Sequence, residues 1–463
     1  MKTKITILVA MLFLSVSFVT AQGQEEDMTT LSIFDQYCKS KNYDAAFEPW
    51  QELRNRNPKF SLAIFTHGED ILEHKIEKTS GTEQVGHIND MLKMYDERLL
   101  NFASKSKKGD ILSKKAQLMY EYKQELGKSD TDVYNAFDKA YTTDVKTFTN
   151  PKALYTYYKV MVALYDAGQK PAEALFTKYD EITEKVESEV KNYTQRLNKY
   201  VPSDTESDVE PQLSKKDAQR VRSYSTFLRA YDQISSGMDK DLGDRANCTN
   251  LVPLYEKNYE GNKNDAVWLQ RAMNRLYTKE CNDDPLFVKI VEQKNKVQPD
   301  ANTAFYLGIL KDKAGDDDAA LAYYNQAVDL ETDSYEKARI LYRIAKNFKD
   351  KGSFGSARSY YYKALAQNPS MGSAYLQVSA MYATSANSCG ADNFSKRAVF
   401  WLAAQEAAKA GRVDPNLKSM SSRSIANYSA KAPSKSDIFT AGRSGEVIKI
   451  GCWIGRSVKV PSL

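Results

Sequence analysis

The sequence predicts an all-α protein, an α-solenoid of stacked helical hairpins closed by a short C-terminal β-hairpin. Three observations carry that expectation. Apolar residues recur at spacings of three and four along most of the chain, the mark of amphipathic helices. A ladder of ring, small residue, ring and proline recurs at fixed steps. Alternating β-branched residues gather only after Ser444. The composition, 42% hydrophobic and 27% charged, is globular.

The ladder is the most informative of the three. From Tyr43 the steps to Ala46, Trp50 and Pro58 are 3, 4 and 8, and from Phe354 to Ala357, Tyr361 and Pro369 they are again 3, 4 and 8. Between these lies Gly315, followed by Ala320 and Tyr324. Upstream runs a helix with its apolar face at spacings of three and four: Ala304, Leu307 and Gly308 before one turn, Leu341, Ile344, Ala345 and Phe348 before the next. The small residue lets two antiparallel helices approach, the following ring fills the space beside the next hairpin, and the proline stops the second helix. One hairpin cannot bury its apolar face alone, so the hairpins must stack.

This pattern resembles the tetratricopeptide repeat (TPR) family, whose repeat is about 34 residues. Leu307, Gly308, Gly315, Ala320, Tyr324 and Ala327 carry the resemblance in one unit (301–335). Ile344, Ala345, Phe348, Gly352, Ala357, Tyr361, Ala364 and Pro369 carry it in the next (338–371). A third unit opens with Tyr375, Val378 and Tyr382, departs into a loop at Thr384–Gly390, and continues as a long helix over 394–411 within 372–415. Another good unit covers 27–60. Elsewhere only the helical habit persists: Tyr157, Val160, Met161, Leu164 and Gly168 keep the first-helix spacing, and 61–104 and 110–150 are helical by pattern.

Organisation follows. Residues 22–200 read as N-terminal TPR-like hairpins, 201–213 as an exposed polar loop bracketed by Pro202 and Pro211, and 214–430 as a helical region containing the clearest repeats at 301–371. Long helices are expected over 171–199 and 214–236, and 431–463 is a tail with a β-hairpin around Gly455. Two strands are not stable alone, so the tail should cap the last helices or lend an edge to a partner.

The first residues decide the compartment. Lys2 and Lys4 precede an apolar run from Ile5 to Val19 and then Thr20-Ala21-Gln22, the layout of a signal peptide (1–21) cleaved after Ala21. The run is shorter than a spanning helix needs, so no membrane insertion is expected after cleavage. The formal charge of +5, less Lys2 and Lys4, becomes +3. That gives no electrostatic case for nucleic acid, which needs a clustered basic face. In an exported chain five cysteines permit disulfides. Cys248 starts before one helix (251–259) and Cys281 ends the next (265–280), so antiparallel packing would bring them together. Cys389 and Cys452 could pair and pin the tail or remain buried thiols, and Cys38 reads as a core thiol.

No catalytic constellation is expected, nor a cofactor or a metal. His67, Asp70 and His74 share a helix face but lack the HExxH form. Gly81 to His87 has the two glycines of a phosphate loop without its Lys, and reads as a turn. The acid clusters Asp283–Asp284 and Asp316–Asp318 lie at expected helix starts, where capping explains them. No serine sits in a GxSxG elbow.

What remains is a binding surface. In TPR proteins the first helix of each hairpin lines a concave groove. The resemblance places Asn302, Phe305, Ile309 and Asp312 there, then Arg339, Tyr342, Lys346 and Lys349, then Ser373, Leu376 and Ala380. Phe305 and Ile309 stand where chaperone-clamping relatives need polar residues, so that clamp is not implied. The groove is open to a partner or is filled by the tail or neighbouring hairpins of this chain, as capping repeats commonly do in solenoids. The resemblance implies a non-enzymatic scaffold that binds another protein or peptide, and the style of the signal peptide places it in the bacterial periplasm or at the cell surface. The alternative is a nutrient- or glycan-capturing protein of the outer envelope.

Overall fold

A computed structural model describes residues 23–201 and 212–463. The expected signal peptide, and most of the expected loop at 201–213, lie outside the described residues. The chain divides into two compact units, one ending at Ile182 and the other running from Thr183 to Leu463.

The first unit is a run of helices: α1 (residues 23–39), α2 (Tyr43–Arg56), α3 (Ala63–Lys78), α4 (Gly81–Asn101), α5 (Lys108–Glu121), α6 (Asp130–Thr143), α7 (Pro151–Asp166) and the start of α8 (Ala172–Leu197). Sequence capping sets several boundaries. Asn42 accepts from Ala45 N, Ser129 and Asp132 form a reciprocal capping box, and Asn150 precedes Pro151 at the first helical position. The core beneath α1 to α5 gathers Phe34, Trp50, Leu53, Ile64, Phe65, Ile71, Ile88 and Met94. Trp50 is fully buried, and its Nε1 donates to the Ile64 carbonyl at 2.7 Å, which satisfies the indole's one polar group. Arg54, on the same helix, reaches Asp90 at 2.9 Å and Glu97 at 2.7 Å on α4. Cys38 is buried, and burial pushes its thiol up to about 11.

One expectation fails here. Gly81 to His87 is not a turn; it is the start of α4. Only Gly81 adopts a positive φ, at 61°. Ile88 is fully buried, so its packing outweighs the helix cost of one exposed glycine at Gly86.

The second unit continues through the end of α8, α9 (Lys215–Leu242), α10 (Cys248–Asn262), α11 (Ala266–Thr278) and α12 (Pro285–Val297). Three hairpins follow: α13 (Ala301–Lys313) with α14 (Asp317–Leu330), α15 (Ser334–Asp350) with α16 (Phe354–Gln367), and α17 (Gly372–Cys389) with α18 (Asn393–Val413). The ladder residues sit where the pattern requires. Ala320, Tyr324, Ala357 and Tyr361 are buried, and Tyr324 lies between the rings of Phe305 and Phe348 at 5.9 and 6.3 Å. Gly315 and Gly352 end the first helices at φ of 78° and 77°, a left-handed conformation that a side chain would strain. Asp316 caps α14 through Ala319 N at 3.1 Å, so the acid cluster there is a cap.

The loop expected at Thr384–Gly390 is also corrected, because α17 runs on to Cys389. Ser385, Ala386 and Cys389 are buried along that extension, and the tail supplies partners to Ser385 and Cys389. Beyond α19 (Lys418–Lys431) and α20 (Lys435–Ala441), β1 (Val447–Lys449) pairs antiparallel with β2 (Ser457–Lys459). Ile448, Ile450, Ile454, Val458 and Val460 face inward and are buried. Cys452 is bonded to Cys389 with Cα atoms 5.2 Å apart, Trp453 Nε1 donates to Ser385 Oγ at 2.9 Å, and Arg358 donates to the Ile454 carbonyl at 2.6 Å. Three-residue strands acquire their stability from these anchors.

Both units are all-α, with TPR-type helical hairpins and a two-stranded sheet at the C-terminal end of the second. Among the described residues no helix is long and apolar enough to cross a membrane.

Candidate partner-binding groove

The first helices of the second unit's hairpins are α11, α13, α15 and α17, and the expected groove residues lie on the last three. Asp300 caps α13 through Thr303 N at 2.8 Å, and Asp333 caps α15 through Tyr335 N and Glu336 N. These caps fix where each first helix begins and which side chains face outward.

The structure separates the expected groove residues by depth. Phe305 is fully buried and Ile309 nearly so; they floor the hairpin rather than the surface. Asn302 is half-buried and accepts from Arg343 at 3.3 Å. Asp312 accepts from Tyr324 Oη at 3.1 Å and also from Asn347 and Lys351, so it ties α13 to α14, α15 and the following turn. Tyr342 packs edge-on against Tyr361, with ring centroids 5.2 Å apart. Lys349 donates to Gln377 on α17 at 2.7 Å. Ser373, Leu376 and Ala380 are half-buried. Lys346 is exposed, with no carboxylate partner among the described residues.

Arg339 behaves differently, because its partner comes from α8. Its guanidinium donates to Glu187 at 2.8 Å and to Glu336 at 3.3 Å. Burial works against its charge, yet the two carboxylates outweigh burial and hold it more firmly protonated than an ordinary arginine. Along the same α8 face, Glu184 pairs bidentately with Arg271 of α11 at 2.7 Å. Lys191 meets Asp333 at 3.0 Å, and Asn198 accepts from Ser370 N at 3.2 Å. The part of α8 within this unit therefore lies against α11, α15 and the entry to α17.

Sequence reasoning missed two features. The α8 occupant could not be found from local pattern, since Glu187 and Arg339 are 152 residues apart. Arg343 carried a signal: it follows Arg339 by four residues and so shares its helix face. It lies over the rings of Phe305, Tyr306 and Tyr277 at 3.9, 4.9 and 5.4 Å, a cation–π stack that fixes the guanidinium.

Cys248 and Cys281 are joined, with Cα atoms 5.4 Å apart, and tie the start of α10 to the end of α11. The histidines do not converge. His67 meets Asp35 of α1 at 3.1 Å and His74 meets Asp44 of α2 at 3.2 Å, and no group of His, Cys, Asp or Glu among the described residues is placed to hold a metal. A cleft of about 350 Å³ in the first unit lies over Lys178 and Tyr134. Its lining mixes Lys170 and Lys178 with Glu173 and Glu181, and Lys178 is already paired with Glu181 at 2.6 Å. It offers a ligand no unbalanced charge.

Comparison with known proteins bears on the repeat. Residues 338–371 match the tetratricopeptide repeat family model. No curated protein matches the chain. Similar solved structures include a tetratricopeptide repeat protein from Parabacteroides merdae (11% identity, 68% of this chain and 97% of that one, TM-score 0.25). Others are yeast Tom70 (11%, 90% and 83%, 0.25) and a human IFIT1 dimer with PPP-AAAA (12%, 80% and 73%, 0.30). The matched segment is α15 and α16, the hairpin whose small residue, ring and left-handed glycine were described above. On that match and that geometry, residues 338–371 form a tetratricopeptide repeat.

Proposed function

We propose that this chain is an exported scaffold of the bacterial cell envelope that binds a partner protein's helix or peptide along the groove side of its first helices. Repeat folds of this class serve generally as scaffolds for protein–protein interaction. The observation that carries the groove reading is the helix already lying on it: α8 is laid against α11 and α15 through Arg271–Glu184 and Arg339–Glu187. A surface that accepts one helix by charge pairing has the shape and polarity to accept another. Export rests on the signal-peptide layout of residues 1–21.

The test is capture from envelope extract with the mature chain, alongside an Arg339→Ala/Tyr342→Ala/Lys346→Ala version. The proposal expects a reproducible set of proteins that the triple variant loses. Retention of the same set by the variant would remove the groove from the account. Deleting residues 1–21 should leave the protein in the cytosolic fraction; unchanged fractionation would remove export.

A further inference from the structure

The stretch of α8 in the second unit presents Glu184, Glu187 and Lys191 on one face, spaced three and four apart. Each meets a side chain of a first helix: Arg271 of α11, Arg339 of α15, and Asp333 at the start of α15. We infer that this stretch is an intramolecular ligand of the groove. Its counterpart in trans is an acidic amphipathic helix with carboxylates three residues apart, bound in competition with α8. The inference deepens the groove reading above and rests on it.

Three observations carry it. The first is the exposure of the contacts. The side chains of the Arg271–Glu184 pair are 26% and 53% exposed, and those of Arg339–Glu187 are 39% and 48% exposed. Pairs this open to water are each worth only a few-fold in an equilibrium constant. They set register and sign, while the buried Val186 and Leu197 and the stacking of Tyr193 on Phe227 of α9 at 4.8 Å hold the helix, so a competitor in trans must be amphipathic as well as acidic.

The second is that two of the groove groups, Arg339 and Asp333, keep other partners when α8 leaves. Arg339 keeps Glu336, one helical turn away at 3.3 Å. Asp333 keeps its two cap donors, Tyr335 N and Glu336 N. Departure of α8 therefore leaves neither of these two charges bare in the groove.

The third is that the cation stripe outruns its occupant. Arg339, Arg343 and Lys346 follow one another on a single face of α15. α8 supplies a carboxylate to Arg339. Arg343 is held by aromatic rings and Asn302, and Lys346 is exposed; neither has a carboxylate partner among the described residues. An incoming acidic helix that reaches past Arg339 gains two cations that α8 does not use. That difference gives a trans ligand its advantage over a tethered competitor, which otherwise enjoys a high effective concentration.

The experiment uses the full mature chain and a fluorescent peptide of residues 181–200 as the probe. In the Glu184→Arg/Glu187→Arg chain the internal competitor repels the groove. That chain should bind the native peptide about tenfold or more tighter than the wild type, from two pairs of a few-fold each plus repulsion. The same peptide carrying both reversals should not bind, and raising the salt should weaken native binding several-fold. Equal binding by wild-type and reversed chains would overturn the inference, as would binding of the reversed peptide. Should the reversed chain fail to fold, hydrogen exchange of the wild-type chain under excess native peptide decides. Faster exchange over residues 183–198 supports displacement, and no change overturns it. Capture of partners through Arg339, Tyr342 and Lys346 stands or falls separately, so failure of the peptide competition is distinguishable from failure of the groove.

Discussion

Replacing Gly308 with alanine should destabilise the α13–α14 hairpin, although glycine-to-alanine changes inside helices ordinarily stabilise. A Cβ at Gly308 would stand 2.5 and 2.6 Å from two ring carbons of Tyr324, against an ordinary contact of 3.4–4 Å. The ring must retreat by about 1 Å, and it has nowhere to go. It is buried, it lies between Phe305 and Phe348, and its hydroxyl donates to Asp312. Alanine gains about 1 kcal/mol of helix propensity over glycine, while overpacking a closed core costs about 1–3 kcal/mol. The net expectation is a loss of up to about 2 kcal/mol in local opening free energy. Gly86 is the control: it is helical and exposed, and nothing lies within 4 Å of its added Cβ. Gly86→Ala should stabilise α4 by about 0.4–1 kcal/mol. A melting temperature would mix the two compact units, so the assay is peptide-resolved hydrogen exchange. Exchange over 301–330 should quicken by about tenfold in Gly308→Ala, since 1.4 kcal/mol is a factor of ten. Exchange no faster than wild type would refute the reasoning that Gly308 exists to admit the Tyr324 ring.

Three further outcomes follow from other sites. Arg54→Ala leaves the partly exposed Asp90 and Glu97 without their buried partner, with Glu97 keeping Lys93, and should destabilise the first unit by about 1–3 kcal/mol, read as exchange over α2 to α4. Replacing Cys389 and Cys452 by serine should loosen residues 447–460 by about 2–4 kcal/mol while leaving α15 and α16 unchanged; equal exchange in the tail would show that Trp453 and Arg358 suffice to hold it. Asp437 is held low, at about 2, by hydrogen bonds from Ser434 and from Arg397. Because its folded value lies below the ordinary 3.8, its contribution to α20 is present above about pH 4 and is lost as pH falls toward 2. An NMR titration of the Asp437 carboxyl near 4 would contradict this.

Much of the fold was legible because the repeat writes its packing into short spacings. Ala357 and Tyr361 are four residues apart and on one helix face, so their burial follows from local pattern alone. The same holds for the Cys248–Cys281 juxtaposition, which needs only two adjacent antiparallel helices. Turn chemistry misled at Gly81–His87 and at Thr384–Gly390, where polar and glycine-rich stretches stay helical because Ile88, Ala386 and Cys389 find buried partners. Of the residues expected in the groove, Arg339 meets Glu187 of the chain's own α8, while Phe305 and Ile309 lie buried within the hairpin. The occupant was not legible, because no periodicity in α8 says that Glu184 and Glu187 will meet cations far along the chain. Depth and long-range charge pairing are tertiary facts.

The central claim is that the first helices form the binding face, and protection from hydrogen exchange in the partner-bound mature chain tests it most directly. The account predicts protection centred on residues 334–350 and 266–278, around Arg339 and Arg271, together with changed exchange over 183–198. Protection confined to the second helices α14 and α16, with α11 and α15 unchanged, would contradict it.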